Sequence, residues 1–144
     1  DIQSVVDVLR SPLITQGKVV PAFERSISER VGSKYSVAFN SATSALHSAC
    51  LSLGLSKGDI GWTVPNSFVA SANCILLTGA KVDFVDIDER SNNISLEKLS
   101  EKLKTAKKRN KLPKVLVPVH FSGQPTIQEE IKKLKQELSK RNLK

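Results

Sequence analysis

From Lys34 onward, short apolar runs alternate with segments at helical spacing, and this alternation constrains the fold more than any other feature of the chain. The runs are "YSVAF" (35–39), "IGWTV" (60–64), "KVDFVDI" (81–87) and "KVLVPVH" (114–120). They are apolar nearly throughout, as strands are when both sheet faces are covered. Each is followed by a helical pattern. Ala42 to Leu53 would place Leu46, Ala49, Cys50 and Leu53 toward a core, and Phe68 to Leu77 is closed by Gly79. Ser95 can cap the next helix, with Glu97 in its first turn. Thr126 and Glu129 spell a T-x-x-E capping box for the last. Four strand–helix units predict an α/β fold: a mostly parallel sheet with flanking helices and right-handed crossovers. Gly61 inside the second strand is expected to weaken packing there. Two helices come first. One carries Ile2, Val5, Val6 and Leu9 and stops near Pro12; the other carries Phe23, Ile27 and Val31 on one face. "LITQGK" between them reads as a loop.

The 144 residues suffice for one domain with a real core. With 40% hydrophobic and 25% charged residues, the composition is that of a soluble globular protein. No apolar run is long enough to span a bilayer, and the start lacks a secretory pattern, so a cytoplasmic location is expected. Cys50 and Cys74 lie far apart, each in an apolar helical segment, and read as buried free thiols rather than a disulfide or metal site. The net charge of +8 raises nucleic-acid binding as a possibility. The charge sits in "KLKTAKKRNKLPK" (102–114) and "KKLKQELSKRNLK" (132–144), without aromatics for base stacking. A solvated basic face is the preferred reading, with neither nucleic acid nor membrane as partner.

In parallel α/β sheets, ligands bind beyond the carboxyl ends of strands. Three such ends carry polar groups: Asn40 to Thr43, Asn66 to Phe68, and His120 to Gln124. Ser41, Ala42 and Thr43 open a helix. Its first N–H groups lack internal partners, and its dipole favours an anion such as phosphate. The plainer alternative is an ordinary helix cap. Phe68 is either core or a ring on which a flat ligand stacks. His120 and His47 both have a structural reading as satisfied groups. Asp83, Asp86 and Asp88 are uneven in spacing and lack a nearby histidine, so solvated or capping carboxylates are expected, with no metal.

Taken in order, "ITQGKVVPAFERSISERVGSKYSVAFNSATSALHSACLSLG", "WTVPNSFVASANCILLTGAKVDFVDID" and "LVPVHFSGQP" resemble the DegT/DnrJ/EryC1/StrS sugar aminotransferases. That family has the aspartate-aminotransferase-like (fold type I) fold and uses pyridoxal 5'-phosphate. "FNSATSALH" and "VPVHFSGQP" look most like members that act in pseudaminic acid biosynthesis. The resemblance implies that residues 1–144 are the N-terminal part of the large, cofactor-binding domain. It implies a cofactor-phosphate cup at Ser41, Ala42 and Thr43, and a stacking ring at Phe68. Thr15, Gly17 and His120 are implied at the sugar-nucleotide side. The implied activity is transfer of an amino group, with glutamate as the donor, to a 4-keto nucleotide sugar by a homodimer.

The chain also departs from the family pattern. "GDIG" stands where members usually read "GDEV". The aspartate that pairs with the pyridine nitrogen and the lysine that holds the cofactor covalently are both expected beyond Lys144. No lysine here sits in the family's lysine motif, so residues 1–144 alone are expected to be inactive. The rival readings are a non-catalytic phosphate-binding or interaction module and a basic nucleic-acid binder. Saturable cofactor binding at moderate salt would argue against the latter.

Overall fold

The computed structural model describes residues 1–140. The last four residues of the second basic segment lie outside the described ones. The chain divides into two compact units, Asp1–Asn40 and Ser41–Lys144.

The first unit holds α1 (Ile2–Leu9) and α2 (Val19–Val31), joined by the expected loop. No residue of this unit is buried, so the apolar faces of Ile2, Leu9, Phe23 and Val31 are exposed. The expected strand at 35–39 does not form. A strand exists only through a ladder partner, and this segment has none among the described residues. Tyr35, Val37 and Phe39 are exposed, and the Ala38 N–H donates instead to Glu24 Oε1 at 2.8 Å.

Among the described residues, the second unit contains three strand–helix repeats rather than four. After α3 (Ala42–Ser52) come β1 (Ile60–Thr63), α4 (Ala70–Leu76), β2 (Lys81–Phe84), α5 (Leu96–Lys108), β3 (Val115–Leu116) and α6 (Gln128–Lys140). All strand pairs are parallel, in the order β2-β1-β3. Trp62 is opposite Asp83 on one side and Leu116 on the other.

The period-two alternation of strands sorts the core into two clusters. Val82, Val115 and Val117 join Cys50, Leu55, Cys74 and Ile75 in a cluster with α3 and α4. Trp62, Val64, Leu116 and Val119 join Leu99 and Ala106 in a cluster with α5 and α6. On α3 the inward residues are Cys50, which is buried, and Leu46, which is half-buried; Ala49 and Leu53 are exposed instead. Ala49 lies on the flank of the stripe defined by 46 and 50, and Leu53 is the C-cap, past the last helical residue.

Helix ends follow local chemistry. Ser41 Oγ accepts from Ser44 N at 3.2 Å and Ser95 Oγ from Lys98 N at 3.3 Å, as N-caps do. Glu97 in the first turn of α5 and Lys107 and Lys108 in its last suit the helix dipole. The expected capping box at Thr126 is not made. Thr126 is buried, its Oγ1 has no partner among the described residues, and α6 starts at Gln128. Its N–H is drawn to His120 Nδ1, and Glu129 pairs with Lys132 at 3.0 Å.

The acidic "VDFVDID" stretch serves separate local roles. Asp83 pairs with Lys102 at 2.8 Å, and Asp86 Oδ1 accepts from Ile87 N. Asp88 Oδ1 accepts from the N–H groups of Arg90 and Ser91 and from Ser91 Oγ. These bonds hold the Asp88 carboxyl below its ordinary value, the Ser91 N–H most of all. Cys50 and Cys74 are free and buried, as expected. Among the described residues no helix is long and apolar enough to cross a membrane.

Candidate functional site

The carboxyl ends of β1 and β3, neighbours in the sheet but not in sequence, open into a groove of about 590 Å³. Residues 65–68 line one side and residues 119–122 the other. This is where parallel α/β sheets place ligands. Two hydrogen bonds bring the strand ends together. Val117 N donates to Trp62 O at 2.8 Å, and Thr63 Oγ1 donates to Val117 O at 2.9 Å.

Phe68 and His120 face this groove from opposite sides. Phe68 precedes α4 rather than opening it, and the residue is 76% exposed, so it is not a core residue. An aromatic ring left in water at a strand end offers a flat apolar face to a ligand. His120 is held in place through its ring. Nδ1 accepts from Thr126 N at 2.8 Å. Gln128 Nε2 stands 3.3 Å from His120 Nε2.

Ser41, Ala42 and Thr43 are exposed at the start of α3, and they are not among the residues lining the groove. Ser41 acts as a cap, which the plainer sequence reading foresaw. That cap takes the Ser44 N–H. The N–H groups of Ala42 and Thr43 remain in the first turn, without intrahelical acceptors. These donors and the Thr43 hydroxyl form a set suited to a dianion. Thr15 and Gly17 belong to the first unit, in the loop between α1 and α2. Within that loop it is Gln16, at φ 54°, that takes the left-handed conformation. His47 lies in mid-α3, with a buried Nε2 that has no partner among the described residues.

Two asparagines support the groove: Asn93, which escaped the sequence reading, and Asn66, which that reading placed at a strand end without giving it a partner. Asn93 is 5% exposed and spends its whole carboxamide on the loop after β3. Its Nδ2 donates to Gln124 O at 3.0 Å and Pro125 O at 3.3 Å, and its Oδ1 accepts from Phe121 N at 2.9 Å. Asn66, on the β1 side, donates from Nδ2 to Asn92 O at 2.8 Å, and its Oδ1 is buried without a partner among the described residues. Each contact spans 26 residues or more, and local pattern carries no signal for such pairs.

A polar atom left unpaired beside a groove, an exposed ring across from an imidazole, and a first turn with open N–H donors fit a flat, anionic cofactor.

Comparison with known proteins places the chain in a family. The chain is 39% identical over 134 residues to the UDP-4-amino-4,6-dideoxy-N-acetyl-beta-L-altrosamine transaminase of Campylobacter jejuni, covering 93% of this chain and 34% of that protein. It superposes on Helicobacter pylori PseC, an aminotransferase of pseudaminic acid biosynthesis, with a TM-score of 0.84 and 32% identity, over 96% of this chain and 36% of that one. Spr1654 of Streptococcus pneumoniae, solved in its PLP form, matches with a TM-score of 0.82 and 26% identity, over 94% of this chain and 33% of that one. The chain spans about a third of the length of the curated relatives it matches. Residues 1–139 match the model of the DegT/DnrJ/EryC1/StrS aminotransferase family, and the chain belongs to that family.

Proposed function

We propose that the chain is the cofactor-binding N-terminal part of a pyridoxal-phosphate sugar aminotransferase that aminates a 4-keto nucleotide sugar, with glutamate as the amino donor. Kinship with the altrosamine transaminase of C. jejuni and with PseC supports a place in pseudaminic acid or related surface-polysaccharide synthesis. The single observation that carries the reading is the exposed Phe68 ring on the groove at the ends of β1 and β3.

When bound, pyridoxal phosphate supplies the electron sink that lets an amino group leave one carbon for another. The chain's part is to bind and orient. Phe68 offers its face to the pyridine ring. Ala42 and Thr43 offer backbone N–H groups, and Thr43 its hydroxyl, to the phosphate. His120, held by Thr126, faces the sugar side. Residues 1–144 taken alone bind the cofactor without turnover. The working protein is a cytoplasmic homodimer, a reading that the two free buried thiols support for its compartment.

Titration with pyridoxal phosphate at moderate salt tests this, followed by absorbance and by quenching of Trp62. Saturable binding that Thr43→Val weakens several-fold is expected. Absence of saturable binding, or binding indifferent to Thr43, overturns the reading.

A further inference from the structure

We propose that Asn93 is a positioning residue, which holds the His120 side of the groove at a fixed distance from the Phe68 side. The proposal rests on the reading above for the class of ligand, a flat anionic ring.

The turn at 88–93 reaches both sides of the groove. Its carbonyl at Asn92 accepts from Asn66, which stands two residues before Phe68. The next side chain, Asn93, takes all three of its contacts from the loop that begins at His120. The turn itself is tightly built. Asp88 N donates to Asn93 O at 2.8 Å, Asn92 N donates to Asp88 O at 2.8 Å, and the Asp88 carboxylate fills the centre.

The clamped loop needs restraint. Ser122 sits at φ 49° and ψ 30°, followed by Gly123 at φ 81°. A left-handed serine is strained and persists only where the surroundings over-determine it. Asn93 bonds Phe121 before the strained pair and Gln124 and Pro125 after it. Only a carboxamide can donate to two carbonyls and accept from an N–H from one buried position. Without the clamp, the loop carrying His120 is free to relax and the groove loses its width.

Amide hydrogen exchange in the whole chain, combined with pyridoxal-phosphate titration, tests this with Asn93→Ala and Asn93→Asp. In Asn93→Ala, exchange at Phe121 N and Thr126 N rises at least tenfold while Val85 N, in the sheet, keeps its protection, and the dissociation constant rises at least fivefold. A carboxylate in place of the carboxamide retains the acceptor and loses the donors. Asn93→Asp therefore keeps Phe121 N protected and frees Thr126 N, which decides the matter even if the alanine variant does not fold. Uniform loss of protection across the sheet, or an unchanged loop in both variants, overturns the proposal. If the unmodified chain fails to bind pyridoxal phosphate, the reading of function falls, and the exchange pattern still decides the role of Asn93.

Discussion

The backbone of Gly61 in β1 lies directly beneath the side chain of Ile75 in α4: a Cβ built on Gly61 would stand 2.9 Å from Cγ1, Cγ2 and Cδ1 of Ile75. The glycine that looks like a weak point in a strand is what lets α4 settle onto the sheet. Ile75 is fully buried there, and its burial offsets what β1 loses by lacking a side chain. Gly61→Ala forces Ile75 or the helix aside, and overpacking of this kind costs about 1–3 kcal/mol. The urea midpoint of the variant falls accordingly, and pairing it with Ile75→Val recovers part of the loss. An unchanged midpoint for Gly61→Ala would show that the helix sits farther from the strand.

Lys102 of α5 stands 5.0 Å above the Trp62 ring, pairs with Asp83 at 2.8 Å, and donates to Phe84 O. Partial burial works against ionisation of Asp83. The Lys102 hydrogen bond, the Phe84 N–H and the lysine charge outweigh it and hold the carboxyl below its ordinary 3.8. A carboxylate depressed on folding adds stability above its unfolded value, and loses it as pH falls through the folded one. Asp83→Asn is therefore less stable at neutral pH, by about 0.2–1 kcal/mol once solvent screening of this half-exposed pair is counted. The gap between variant and parent closes as the pH drops below 3.8. Trp62, the sole tryptophan, reports both transitions by fluorescence. A gap that stays constant down to acid unfolding would mean the pair contributes nothing.

Much of this fold is legible in the sequence because its signals are local. The strands at 60–63 and 81–84 and the caps at Ser41 and Ser95 follow from runs, spacing and side-chain chemistry within a few residues. The failures share one cause. "YSVAF" has strand composition, but pairing is decided by what lies alongside it, and composition does not carry that. Thr126 has the spacing of a capping box, yet its N–H meets His120 and its hydroxyl is buried. At the groove, Asn66, Phe68 and His120 are visible by position at strand ends, whereas the partner of Asn66 and the whole role of Asn93 lie in contacts distant in sequence.

The two cysteines report on the core under α3 and α4. Burial pushes the Cys74 thiol up to about 12, and the neighbouring Cys50 adds to the shift. A thiol held neutral and out of water reacts slowly, because the thiolate is the nucleophile. Both cysteines should resist a thiol reagent at mildly alkaline pH in the native protein and react within the mixing time in denaturant. Rapid modification of either in the native state would show that α3 opens readily from α4.

Phe68 separates folding from binding. Because the residue is 76% exposed, Phe68→Ala removes little packing, and thermal stability should stay within about 0.5 kcal/mol of the parent. Ring stacking is worth about 0.5–1.5 kcal/mol beyond area burial, so pyridoxal-phosphate affinity should fall roughly threefold to tenfold. Phe68→Tyr keeps the ring and should bind within about twofold of the parent. The two variants are compared by titration at fixed salt, with thermal melts on the same samples. Equal affinity in Phe68→Ala and the parent would remove the ring from the site and leave it as a solvent-facing residue of the loop. A large drop in melting temperature would instead mean that Phe68 packs in the folded state.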